Sequence, residues 1–119
     1  MLLSPEEWVR QHFVNYLIET KNFPESRIAV EFSLKYNELI RRPDIVYYDN
    51  ELKPQLIVEC KAPEVKITQS TFDQIARYNS ALKVSYLVVT NGMQHFCCKM
   101  EYAPERYSFL KEVPHFTEL

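Results

Sequence analysis

Residues 84–90 (Val84-Ser85-Tyr86-Leu87-Val88-Val89-Thr90) form a near-continuous apolar run that follows a helical pattern, and this juxtaposition constrains the fold most. A strand with apolar side chains at successive positions is buried on both faces. That arises where it joins its predecessor in parallel through a helical crossover. The helix is expected over residues 68–82, with Phe72, Ile75, Ala76, Asn79 and Leu82 on one stripe.

The rest of the pattern fits around this unit. Ser4-Pro5-Glu6-Glu7 reads as a helix start: Ser4 caps, Pro5 suits the first helical position and Glu7 completes a capping box. Trp8, Val9, His12, Phe13, Tyr16 and Leu17 then recur at helical spacing, and Lys21-Asn22-Phe23-Pro24 should end the helix. Alternation at Ile28, Val30, Phe32 and Leu34 predicts a strand over 27–34, and residues 43–48 and 56–61 predict two more, joined at Asp49-Asn50-Glu51. These three should form an antiparallel meander. Pro63 ends the third, and Asn91-Gly92 is a hairpin signal leading into a strand over 93–100. The tail from Glu101 onward is mixed, with Tyr107, Phe109, Leu110 and Phe116 available for packing. The expected order is α-β-β-β-α-β-β: one mixed α/β domain over 1–119, with helices on both sides of a sheet and no linker or repeat.

Composition excludes several functions. Gly92 is the only glycine, so neither a P-loop nor a dinucleotide-binding turn can be built. Cys60, Cys97 and Cys98 are odd in number and contain no C-x-x-C, and His12, His95 and His115 are scattered, which argues against a disulfide framework or a zinc site. The N-terminus has no signal-peptide pattern and no apolar run approaches the ~20 residues of a membrane span, so a cytoplasmic setting is expected. A net charge of −2 is unlike a strong stand-alone DNA binder, though compatible with a module delivered to DNA by other parts.

The chemistry lies in Pro43-Asp44 and Glu59-Cys60-Lys61. If strands 43–48 and 56–61 pair antiparallel, Asp44 meets the end that carries Glu59 and Lys61. Glu59 and Lys61 are two apart and share a face, with Cys60 on the other. A structural ion pair would explain the charges, but such pairs add little net stability when buried. A Mg²⁺ or Mn²⁺ ion explains two converging carboxylates better, and an adjacent lysine suits activation of water and stabilisation of phosphate charge. Arg41 and Arg42 precede Asp44 and are candidates to meet a phosphate.

Pro43-Asp44, fourteen intervening residues (45–58) and Glu59-Cys60-Lys61 resemble the PD-(D/E)xK nuclease superfamily. Gln74 and Tyr78, four apart on the following helix, resemble the Q-x-x-x-Y signature of its RecB-like branch. Residues 4–11, 41–46, 58–63 and 90–92 together look like the N-terminal nuclease domain of the R subunit of type I restriction enzymes. The resemblance implies a restriction-endonuclease-like fold. It also implies a metal held by Asp44, Glu59 and the Cys60 carbonyl, with Lys61 and Gln74 alongside and Tyr78 at the DNA. Glu7 is the first-helix acid suggested as a further metal-site residue, with Glu6 and Glu19 behind it; its role as a helix cap is an equal rival.

The primary expectation is a metal-dependent deoxyribonuclease. Its implied partners are DNA and a helicase-like motor or other restriction subunits, and a double-strand break would need paired copies or two successive events. A non-catalytic nucleic-acid-binding or assembly module of the same fold is the alternative.

Overall fold

The computed structural model describes residues 4–30, 43–79, 83–102 and 105–119. In chain order they form α1 (Pro5–Glu19), β1 (Ile28–Val30), β2 (Ile45–Tyr48), β3 (Pro54–Cys60), α2 (Gln69–Asn79), β4 (Tyr86–Thr90), β5 (His95–Tyr102) and β6 (Glu105–Leu110). Short 3-10 turns occupy Glu25–Arg27 and Phe116–Glu118. The six strands form one sheet whose spatial order follows the chain. Every neighbouring pair is antiparallel except β3 and β4. α2 lies between those two strands in the chain, as a parallel connection requires. All five residues of β4 are buried, in accord with their continuous apolar character.

Alternation along the strands divides the interior into two layers. Val9, Phe13 and Leu17 of α1 cluster with Leu56, Val58, Cys60, Val88 and Cys97. Phe72, Ile75 and Ala76 of α2 cluster with Ile57, Leu87, Val89 and Cys98 on the opposite face. The sheet therefore carries one helix on each side. Among the described residues, no helix is long and apolar enough to cross a membrane.

Local chemistry sets the boundaries. Ser4 Oγ accepts the Glu7 backbone N–H at 3.2 Å and Pro5 begins α1, while Thr68 Oγ1 accepts the Thr71 N–H at 3.2 Å at the start of α2. Asp49 Oδ1 accepts the N–H groups of Glu51 and Lys53 in the β2–β3 turn, at 2.8 and 3.0 Å. After β4, Asn91 Oδ1 accepts the N–H groups of Met93 and Gln94 at 2.9 and 2.8 Å. Those two residues belong to the turn, so β5 begins at His95 rather than at Met93.

Two further expectations are corrected. The C-terminal tail contains β6, where Tyr107 and Phe109 pack on Phe72 with ring centroids 5.7 and 5.0 Å away. Trp8 and His12 lie on the exposed side of α1, whereas Arg10 is buried. The inward face follows the Val9–Phe13–Leu17 line, and Arg10 lies next to it. The predicted strand over 27–34 is described only as far as Val30, and Leu82 at the end of the predicted second helix lies outside the described residues.

Gly92 adopts φ +85°, and a Cβ there would stand 3.2 Å from Val9 Cγ2 and 3.3 Å from Trp8 Cζ3. Gly92→Ala should therefore lower the free energy of unfolding by about 1–3 kcal/mol, checked by urea denaturation.

Candidate functional site

The regular β2–β3 register ends with Ile45 opposite Val58, and Asp44 immediately precedes it. Asp44 donates its backbone N–H to the Val58 carbonyl at 3.0 Å, and its side-chain Oδ2 accepts the Cys60 N–H at 2.8 Å. The carboxylate is thus fixed at the end of β3. Cys60 faces the α1 layer, and alternation directs Glu59 toward the α2 side. Glu59 is buried, at 6% exposure, and Lys61 is half-buried. The Lys61 N–H donates to the Thr90 carbonyl at 2.8 Å, which carries the parallel pairing one step beyond the end of β3. Asp44, Glu59, Cys60 and Lys61 are therefore brought to one end of the sheet.

Burial pushes the Asp44 carboxyl above its ordinary value. The Cys60 N–H, the Arg10 guanidinium and Lys61 oppose that shift, while the Glu6 charge reinforces it. Arg10 is a residue that sequence reasoning missed. It is 5% exposed, its Nη2 lies 3.9 Å from Glu7 Oε1, and its charge acts on both Asp44 and Cys60. A charged residue one position from an apolar helical stripe was the available signal. Glu6 is the first-helix acid whose charge acts on Asp44, whereas Glu7 gives its backbone N–H to the Ser4 cap and turns its carboxylate toward Arg10.

The remaining candidates are not brought to this edge by any described contact. Gln74 is exposed on α2. Arg41 and Arg42 lie outside the described residues, as does the side chain of Tyr78. On β2, Tyr47 is buried, with its ring edge-on to Phe23 at 4.8 Å, and Tyr48 is half-buried.

The donor set suits a hard cation. Mg²⁺ takes hard oxygen ligands, retains several waters and is bound through one or two carboxylates; Asp44 and Glu59 are the carboxylates at this edge. The Asp44–Cys60 bond engages Oδ2, leaving Oδ1 as the other carboxylate oxygen. Among the described residues, no group of three or more His, Cys, Asp or Glu side chains is arranged to hold a metal ion. Thiolate ligation is disfavoured as well. Burial raises the Cys60 thiol strongly and pushes Cys97 and Cys98 up to about 12, so all three remain protonated near neutrality.

Asn91, 4% exposed, braces the loop after Lys61 by donating Nδ2–H to the Val65 carbonyl at 2.8 Å. A second polar cluster joins α2 to β6. Tyr107 donates its hydroxyl to Asp73, and Gln69 Nε2 donates to Asp73 Oδ1 at 2.9 Å. The Tyr107 hydrogen bond, followed by that of Gln69, lowers the Asp73 pKa.

A family model for the type I restriction enzyme R protein N terminus matches residues 5–114. No curated protein gives a significant match.

Two outcomes follow from this geometry. Burial holds the folded-state pKa of Asp44 above that of an unfolded aspartate, so the folded protein binds the extra proton between the two. Stability from this group therefore falls as pH rises through that window. Asp44→Asn should unfold at a higher urea midpoint than wild type at pH 7 in chelator, with the gap closing as pH approaches 4. Asn91→Ala should cost about 2 kcal/mol in the same assay, because its Val65, Met93 and Gln94 partners lose their hydrogen bonds.

Proposed function

The chain belongs to the family of type I restriction enzyme R protein N termini, and on that basis we propose that it is a PD-(D/E)xK nuclease domain that hydrolyses DNA phosphodiester bonds. What supports this reading is that Asp44, Glu59 and Lys61, three charged residues, lie at one end of strands that are otherwise apolar. An acid pair beside an ammonium is costly to desolvate and adds little stability as an ion pair, so a ligand explains it better.

In this reading Asp44, Glu59 and the Cys60 carbonyl would hold Mg²⁺ or Mn²⁺. The bound metal supplies Lewis-acid polarisation of the phosphate and lowers the pKa of a coordinated water. Asp44, held through its Cys60 bond, would present its carboxylate to the cation with little reorganisation. Lys61 donates to the phosphate oxygens and to the attacking water, stabilising the charge that develops as the water oxygen bonds to phosphorus. The water gives up a proton to solvent as its oxygen bonds to phosphorus, the P–O bond to the leaving oxygen breaks, and that oxygen takes up a proton from solvent. Gln74 and Tyr78 extend the contact to DNA, as the RecB-like signature suggests, and Arg41 and Arg42 are assigned to phosphate. Glu7, or its neighbour Glu6, contributes the first-helix acid.

The net charge of −2 argues against strong DNA binding by the domain alone and is compatible with delivery to DNA by a motor or by other restriction subunits. One site cuts one strand, so a double-strand break requires two copies or two events.

Millimolar Mn²⁺ should raise the thermal midpoint of the wild type and leave that of Asp44→Ala unchanged. Binding at a hundredfold excess over Kd is worth about 2.7 kcal/mol. The same substitution should abolish Mg²⁺-dependent DNA cleavage while preserving the far-UV circular dichroism spectrum. Full cleavage by Asp44→Ala would overturn the assignment. Absence of both the shift and the cleavage in the wild type would favour a non-catalytic assembly module.

A further inference from the structure

Trp8 is the only tryptophan of the chain, and it stands 43% exposed while the adjacent Val9 is fully buried. Its ring is held from two directions. His12, one helical turn on, packs with its centroid 4.2 Å away at an interplanar angle of 48°. Gly92 approaches the ring edge so closely that an added Cβ would lie 3.3 Å from Trp8 Cζ3. The turn containing Gly92 also presents Met93, 74% exposed, and is tied through Asn91 to Val65, 38% exposed. It directly follows Thr90, whose carbonyl accepts the Lys61 N–H. The exposed indole therefore stands beside the end of the sheet where Lys61 emerges.

We propose that Trp8, backed by His12, is a stacking platform for an unpaired nucleobase of the DNA strand that enters the carboxylate edge. This subsite rests on the nuclease reading above. A nucleobase suits the surface because it presents a flat π-face, and base–aromatic stacking is a common means of holding single strands without sequence preference. The ring is already held by His12 and Gly92, so binding costs little side-chain entropy. The backbone link from Lys61 through Thr90 to the Gly92 turn puts the ring at the same end of the sheet as a cationic residue suited to the backbone phosphate. A protein partner fits less well: an ordinary interface takes roughly 20–30 residues a side, whereas among the described residues the exposed apolar side chains named here are Trp8, Met93 and Val65, and Glu6, Gln11 and Gln94 near them in the chain are exposed.

The test uses the full chain and a dye-labelled oligothymidine of about eight nucleotides, with millimolar Ca²⁺ replacing Mg²⁺. Because Trp8 is the sole indole, its fluorescence reports stacking directly. Saturable quenching is expected on titration. Trp8→Ala should weaken binding about tenfold by anisotropy, with Trp8→Phe intermediate. Its Mn²⁺-induced thermal shift should equal that of wild type, since Trp8 donates nothing to the metal. Equal affinity in Trp8→Ala, binding without quenching, or no binding by wild type would each overturn the platform. So would a concentration-dependent fluorescence change without DNA that disappears on dilution, which would assign the patch to self-association. Wild-type cleavage with unaltered Trp8→Ala affinity would overturn the platform alone. Loss of metal shift and cleavage in the wild type would remove the nuclease reading beneath it.

Discussion

The parallel pairing of β3 with β4 is the constraint on which the rest of the molecule depends. Its register, from Leu56 with Tyr86 to Cys60 with Thr90, brings two strand ends to the same edge. In open α/β sheets, ligands bind outside the carboxyl ends of parallel strands, because the chain must leave the sheet there and opens a crevice. Here the departing segments carry Lys61 and Asn91. α2 provides the crossover and α1 closes the opposite face, so both helices are placed by this one pairing. The antiparallel hairpins on either side extend the sheet and bring Asp44 to that edge from the neighbouring strand.

The family match and the charged edge support one another without being equivalent. Membership places the chain among the N termini of restriction-enzyme R proteins. The physical case for chemistry is separate: Asp44 is desolvated, lies near Glu6, and is held by the Cys60 N–H with Arg10 behind. A site that keeps carboxylates in an unfavourable electrostatic setting sacrifices folding stability unless a cation joins it. Arg10 offsets part of that penalty from within the core, so the fold tolerates the acidic edge by itself.

Much of this arrangement was legible in the sequence because the relevant patterns are strong and local. The Ser4 cap, the Asp49 turn, the buried run over 84–90 and the two-residue spacing of Glu59 and Lys61 each specify geometry within a few residues. Strand β6 was missed because Arg106, Ser108 and the exposed Phe109 do not read as a buried strand. Its place is set by pairing with β5 and by Tyr107 and Phe109 against Phe72. Arg10 and Trp8 were misjudged for a related reason. Helical periodicity identifies an apolar stripe, but its centre depends on what the helix packs against. Gly92 fits beneath Trp8 and Val9 only once β4 and β5 are in place.

The alternating sheet also determines how the molecule meets oxidants. Cys97 and Cys98 are adjacent, yet one belongs to the α1 layer and the other to the α2 layer, so their sulfurs face apart across the sheet. Together with Cys60, all three thiols are 3% exposed or less. Folded protein should therefore be inert to maleimides and need no reductant. A single cysteine engineered on the surface would then be the only reactive thiol, which makes this scaffold convenient for attaching one spectroscopic probe at a chosen position.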